Sequence, residues 1–269
     1  MSAPANSAPV SETSPEPVWS IWLAVAFVLL WAALMVVIQQ ASLVLAAMLS
    51  APAAGDLSQD ALRAFLERFI QDIASNPYAT FGVAACVGLT WLMTFGLIEM
   101  YFRNVPRPIL GRALGLKPAD PRWVTAAAIP IGILACIVGS FLGSLLQVDD
   151  SPGPFDEMMR TVPGFLGTAA IALVIAPIAE ETFFRGFLFP PLRRALSPGT
   201  AILVNGAVFA AAHVMTYNGD AAYLIPVMLL GVVAAALRSW TGSVVPGILA
   251  HFFFNGTSLA LFVLMKDNR

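Results

Sequence analysis

From Pro17 to Gly55 the sequence contains no charged residue, thirty-nine positions in a row. A bilayer hydrocarbon core of about 30 Å is crossed by about 20 helical residues. The stretch therefore holds one membrane span with a helical extension or a re-entrant piece. It is too long for a secretory signal, whose apolar part runs to about 7–15 residues behind a basic flank. Ahead of it, residues 1–17 are rich in Ser, Pro and Ala and carry Glu12 and Glu16 with no Lys or Arg. Such a segment reads as a disordered tail.

The rest of the chain continues the pattern. Hydrophobic residues make up 58% and charged residues 11%, against about 45–50% and about 25% in ordinary soluble domains. That composition excludes a disordered protein and a water-soluble globule. Fourteen Lys and Arg against sixteen Asp and Glu give a net charge of −2, so no basic surface is available for nucleic acid. Cys86 and Cys136 both sit in apolar runs and read as small residues in helix packing rather than as a disulfide or a metal pair.

Seven apolar stretches read as transmembrane helices: 18–38 with an extension towards Ser50, 79–102, 123–147, 165–189, 200–216, 222–237 and 244–265. Residues 57–73 differ. Asp56 and Gln59 resemble a capping box. Leu62, Phe65, Leu66, Phe69, Ile70 and Ile73 recur at helical spacing, with charges mostly elsewhere, which predicts an amphipathic helix in the membrane interface. The expected fold is all-α: a polytopic transmembrane bundle of about seven spans plus that interfacial helix. Its parts are the tail at 1–17, an N-terminal transmembrane region with the interfacial helix at 18–160, and a second transmembrane core at 161–269.

Basic loops set the orientation. Residues 103–122 hold Arg103, Arg107, Arg112, Lys117 and Arg122 against Asp120 and read as cytoplasmic. Asp149, Asp150, Asp156 and Glu157 with Arg160 read as outside. Arg193 and Arg194 then fall inside, Asp220 outside and Arg238 inside. This alternation places the N-terminus in the cytoplasm and predicts a multi-pass protein of the cell membrane.

Against this frame, Glu180, Glu181 and Arg185 interrupt an apolar span. One charge at the bilayer centre costs about 2.5–3.5 kcal/mol on insertion scales, so such groups face a cavity, pair, and are functional candidates. Glu181 and Arg185 are four apart with the acid first, the favoured order for a helical ion pair. Glu180 lies about 100° further round. One carboxylate is therefore held by Arg185 while the other faces a cavity, where it can act as a general base or acid. The chain's two histidines also lie in late spans. His251 and Asn255 share a helix face and can donate two hydrogen bonds to one oxyanion. Glu180 with a water oriented by His213 supplies a nucleophile. Taken singly, each residue also has a structural reading: a satisfied core histidine, a helix-supporting ion pair, an asparagine bonding between helices. Their co-occurrence on three helices favours a site.

These motifs resemble the CPBP family of intramembrane proteases, which includes the type II CAAX prenyl endopeptidase and bacteriocin-processing and immunity-type proteins. The family pattern is Glu-Glu-x-x-x-Arg, Phe-x-x-x-His and His-x-x-x-Asn/Asp on successive helices. Here it reads Glu180 to Arg185, Phe209 to His213 and His251 to Asn255. The resemblance implies that Glu180 activates water with help from His213, and that His251 and Asn255 stabilise the oxyanion. It further implies that Glu181 and Arg185 order the site and Phe209 shapes its substrate-binding wall. The expected partners are the bilayer and a membrane-embedded or membrane-tethered protein or peptide, a CAAX-type prenylated C-terminus being one option. Glu180, His213 and His251 also offer three zinc ligands with water as a fourth. Without a His-Glu-x-x-His motif, a metal-free glutamate mechanism is the preferred expectation. A non-catalytic immunity, scaffold or transporter-like protein is the alternative. One difficulty accompanies the site. If the fifth span starts at the cytoplasmic face, His213 lies roughly 20 Å along it, while Glu180 and His251 fall nearer that face.

Overall fold

The structure is a computed structural model that describes residues 19–50, 63–64, 77–146, 159, 162–217 and 219–266. Among these residues all regular structure is helical. The helices are α1 (Ile21–Ser50), α2 (Pro77–Tyr101), α3 (Arg107–Leu114), α4 (Trp123–Ser144), α5 (162–195), α6 (Pro198–Ala212), α7 (Ala221–Thr241) and α8 (Val245–Lys266). An all-helical solution is what a bilayer imposes on such a chain, because a helix satisfies its backbone polar groups internally. The tail at 1–17, the loop around Asp149–Glu157 and nearly all of the interfacial helix at 57–73 lie outside the described residues. Within that last segment only Arg63 and Ala64 are described, and both are helical.

Five described stretches are long and apolar enough to cross a membrane: Ile21–Ala41, Trp123–Ser144, Gly164–Ala195, Ala221–Thr241 and Val245–Leu264. Ala85–Tyr101 and Pro198–Ala212 are shorter apolar helices, so the expected count of seven is not reached by length. At 1.5 Å per residue the fifteen residues of α6 span about 22 Å, less than a bilayer core. The expected 200–216 span is corrected: α6 stops at Ala212, and His213 caps its C-terminus. The 165–189 span runs on to Ala195. Arg238, expected in a loop, lies inside α7.

Small residues set the packing. A Cβ on Gly132 of α4 would lie 2.2 Å from the Ala250 carbonyl oxygen, and one on Gly143 would lie 2.3 Å from that of Ala222. These positions let α4 meet α8 and α7 backbone to backbone, the usual solution where no hydrophobic force separates helix from lipid. Cys136 is buried in α4 and Cys86 is half-buried in α2; both are free thiols.

The N-terminal helices meet α5 through aromatic rings. Trp19, just ahead of α1, stacks on Phe187 at 5.1 Å, and Phe27 meets the same ring edge-on at 5.3 Å. Trp31 stacks on Trp91 at 5.3 Å, and both contact Phe183. Each aromatic pair adds about 0.5–1.5 kcal/mol beyond the area it buries. The cluster braces one face of α5 and leaves its opposite face to α6, α7 and α8.

Candidate functional site

Proline shapes α5 at the point where its charges occur. Pro177 has no N–H, so the carbonyls of Ala172 and Leu173 lose the donor that another residue at 177 would supply. The 171–175 turn is π-helical, and Asn255 of α8 donates its Nδ2 to Ala172 O at 2.7 Å. Pro190 and Pro191 repeat the effect further on. Residues 181–188 are π-helical. Arg238 Nε donates to Arg185 O at 3.1 Å, and Trp19 Nε1 donates to Phe187 O at 2.8 Å. Asn205 Nδ2 reaches Phe184 O at 2.9 Å. Wide turns of this kind frequently accompany functional sites. Each here is stitched by a side chain from another segment.

Glu181 and Arg185 face the bundle interior and are fully buried. Glu181 Oε1 accepts from Arg185 Nη1 at 3.0 Å and from His251 Nδ1 at 3.1 Å. Arg185 Nη2 donates to the Gly231 carbonyl at 2.9 Å, and its guanidinium lies 4.3 Å from the centre of the Phe209 ring. The acceptor-only carboxylate fixes the hydrogen of His251 on Nδ1. The Nε2 nitrogen of His251 then carries the ring's lone pair. Gly247 makes room for this cluster, since a Cβ there would lie 2.9 Å from Glu181 Oε2.

Glu180 and His213 face another way. Their side chains are 14% and 20% exposed, and Glu180 Oε2 lies 3.7 Å from His213 Nε2. That separation is too long for a direct hydrogen bond, and Glu180 Oε2 has no hydrogen-bond partner although it is buried. His213 Nδ1 contacts Phe209 O at 2.8 Å; since a carbonyl only accepts, Nδ1 carries the hydrogen and a lone pair on Nε2 points towards Glu180. The Phe209 ring joins the two sides, 4.8 Å from the His213 ring and 5.8 Å from that of His251. The expected discrepancy in depth disappears because α5 is longer than its apolar run. Glu180 and His213 lie sixteen residues on either side of the Leu196–Ser197 turn.

The structure thus brings Glu180, Glu181, Arg185, Phe209, His213 and His251 into one contiguous group, with Asn255 one helical turn beyond His251. Sequence reasoning missed Asn205 and Arg238, which hold α5 in place, and Gly247, which leaves room for Glu181. It also missed Tyr217, whose ring stacks on His213 at 6.3 Å and on Tyr223 at 5.4 Å. Burial pushes the Tyr217 hydroxyl up to about 12. The prolines at 177, 190 and 191 were the available signal for Arg238 and Asn255, because they announce which carbonyls need outside donors.

The zinc expectation meets a different arrangement. Among the described residues no group of three or more His, Cys, Asp and Glu side chains is placed to hold a metal ion. Glu180, His213 and His251 do not form such a set: His251 is turned to Glu181 through Nδ1, and His213 anchors Nδ1 on Phe209 O.

Residues 162–257 match the family model described as Type II CAAX prenyl endopeptidase Rce1-like. No curated protein and no solved structure matches the chain. The matched stretch starts in the first turn of α5 and ends at Thr257 in α8, and so contains every residue of the group above. That match and the five long apolar helices among the described residues support a multi-pass membrane protein. Residues 162–257 are thus similar to the type II CAAX prenyl endopeptidase Rce1-like family, a match that supports a CPBP-type intramembrane protease.

Proposed function

We propose that the chain is an endopeptidase that cleaves a membrane-associated protein or peptide with water activated by Glu180, and that a CAAX-type prenylated C-terminus is its substrate class. One observation carries the reading. A buried carboxylate oxygen of Glu180 without a hydrogen-bond partner lies 3.7 Å from a histidine nitrogen whose lone pair faces it. Two acceptors at that spacing suit a water that donates one O–H to each.

The water oxygen then attacks the scissile carbonyl carbon as Glu180 takes its proton. The oxyanion that develops is met by the second N–H of Asn255, beside His251 on the same helix face. Such donors lower the barrier because they are already in place when charge appears. When the C–N bond breaks, the proton on Glu180 passes to the leaving amine nitrogen. Glu181 and Arg185 act through His251 by fixing its ring, and Phe209 forms the wall between the two histidines. No step requires a metal. The basic 103–122 segment faces the cytoplasm of the cell membrane in this reading, and the N-terminus lies on the same side.

The test uses purified protein in proteoliposomes and a farnesylated peptide ending in a CAAX motif. The wild type cleaves it, Glu180→Ala does not, and a strong chelator leaves turnover unchanged. Unchanged turnover in Glu180→Ala sinks the reading. Stoichiometric zinc that copurifies with chelator-sensitive activity would replace it with a metalloprotease. An unfarnesylated peptide cleaved equally well would keep the protease and remove the prenyl specificity.

A further inference from the structure

At the end of the bundle where α4 and α8 begin lies an open groove of about 750 Å3, lined by residues that include Leu116, Lys117, Pro118, Arg122, Thr125 and Val245. It is separate from the proposed active site, since Val245 is six residues, about 9 Å, ahead of His251 on α8. The groove has a fixed shape. Ser243 Oγ donates to Lys117 O, Val244 N donates to Gly115 O at 3.0 Å, and Arg238 Nη2 donates to Ala113 O at 3.1 Å. These bonds pin residues 113–117 to the corner between α7 and α8. Glycine at 242, in the left-handed region at φ 63°, makes that corner and passes close to the Lys117 ammonium.

The chemistry of the lining is mixed. Lys117 and Arg122 are exposed, and among the described residues neither forms an ion pair. Between them the surface is apolar: Leu116 is 51% exposed, and Pro118 and Val245 lie alongside. Trp123 follows Arg122 directly and meets Trp240 edge to face at 5.5 Å, both rings being largely exposed. Exposed tryptophans at the ends of spanning helices mark headgroup depth. Basic pockets between such helices at that depth suit anionic lipid headgroups.

We propose that this groove binds the phosphate headgroup of an anionic membrane lipid. Lys117 and Arg122 hold the phosphate, and the glycerol–acyl junction lies on Leu116, Pro118 and Val245. The apolar floor decides between sources of phosphate: a free ion would use the two cations and leave the floor uncovered, whereas a lipid covers both. The site does not depend on the protease assignment, and its test needs no turnover.

The experiment is native mass spectrometry of the full chain released from nanodiscs of phosphatidylcholine mixed with phosphatidylglycerol. The wild type retains phosphatidylglycerol in preference to phosphatidylcholine. Lys117→Gln and Arg122→Gln each lower that preference about fivefold, the effect of one cation at an anionic surface, and the double variant lowers it about thirtyfold. Arg103→Gln with Arg107→Gln removes the same charge from the same segment and leaves the preference intact. Equal loss in that control would mean a diffuse positive face and would overturn the site. So would a wild type that shows no preference, or displacement of the lipid by inorganic phosphate at matched concentration, which would mark a plain anion site.

Discussion

Glu180 and Glu181 are consecutive in the chain, yet the two sides of α5 that they face are built on opposite plans. Glu181 sits in a closed network, its Oε1 shared by Arg185 and His251 at 3.0 and 3.1 Å, with side-chain exposures of 0%, 0% and 4% around it. Glu180 Oε2 has no hydrogen-bond partner and looks across 3.7 Å to a partly exposed His213. A buried ion pair is costly to desolvate, and breaking it from one end is costlier still, because the remaining charge is left alone. A carboxylate oxygen without a partner is placed to take a proton. The π-helical stretch that begins at Glu181 lets one helix present both surroundings at adjacent positions.

The two carboxylates therefore fail differently when altered. Glu180→Gln keeps the shape and removes the base. Turnover in proteoliposomes falls about 10²–10⁴-fold, the usual contribution of a general base, while the thermal unfolding midpoint in mild detergent stays where it was. A midpoint that drops together with turnover would erase the distinction and favour a non-catalytic protein.

The next largest effect belongs to the closed side. Arg185→Met leaves Glu181 with His251 alone and removes the donor to Gly231 O. Breaking a buried ion pair from one end costs about 3–5 kcal/mol, read as a lowered midpoint before any assay of turnover. Gly247→Ala probes the same network more gently. Its Cβ would sit 2.9 Å from Glu181 Oε2, an atom of a carboxylate whose other oxygen is already held twice. Overpacking of this kind costs about 1–3 kcal/mol. Gly139→Ala, whose Cβ would sit 2.8 Å from Pro226 Cα, perturbs the α4–α7 contact instead, away from Glu181 and its partners. A larger loss of turnover per folded molecule in Gly247→Ala than in Gly139→Ala would show that Glu181 acts through His251.

The sequence made part of the closed side readable. An acid and a base four apart in an apolar span have few ways to remain there, whereas the bond from His251 to Glu181 depends on which faces of α5 and α8 meet and was not legible. Depth was harder to read. Hydropathy ended the fourth span near Phe189 because Arg193 and Arg194 follow, yet the helix carries those arginines on to Ala195. Placing Glu180 and His213 at one level required that extension. Arg238 was hidden for the related reason that a charge near a span end reads as loop, although here its guanidinium serves carbonyls inside the bundle. The role of α1 and α2 was also hidden, because ring contacts such as Trp19 on Phe187 depend on which faces meet and leave no periodic trace.

Tyr217 gives the smallest and finest contrast. The turn after α6 folds it back over His213: its N–H donates to His213 O at 3.1 Å, and its own carbonyl accepts from Asp220 N at 2.9 Å. Its ring lies nearly parallel to both His213 and Tyr223, at 18° and 4°. Removing that ring with Tyr217→Leu forfeits stacking worth about 0.5–1.5 kcal/mol and loosens the imidazole that orients the water. Turnover then falls by no more than about tenfold, since 1.4 kcal/mol is one decade, with little change in midpoint. Tyr217→Phe keeps the ring and separates two explanations. Turnover near wild type means that the stack holds His213 in place, as the geometry indicates. A loss as large as in Tyr217→Leu means that the hydroxyl matters, which would add a protonated donor to the open side and make Glu180 less isolated than its neighbour's surroundings suggest.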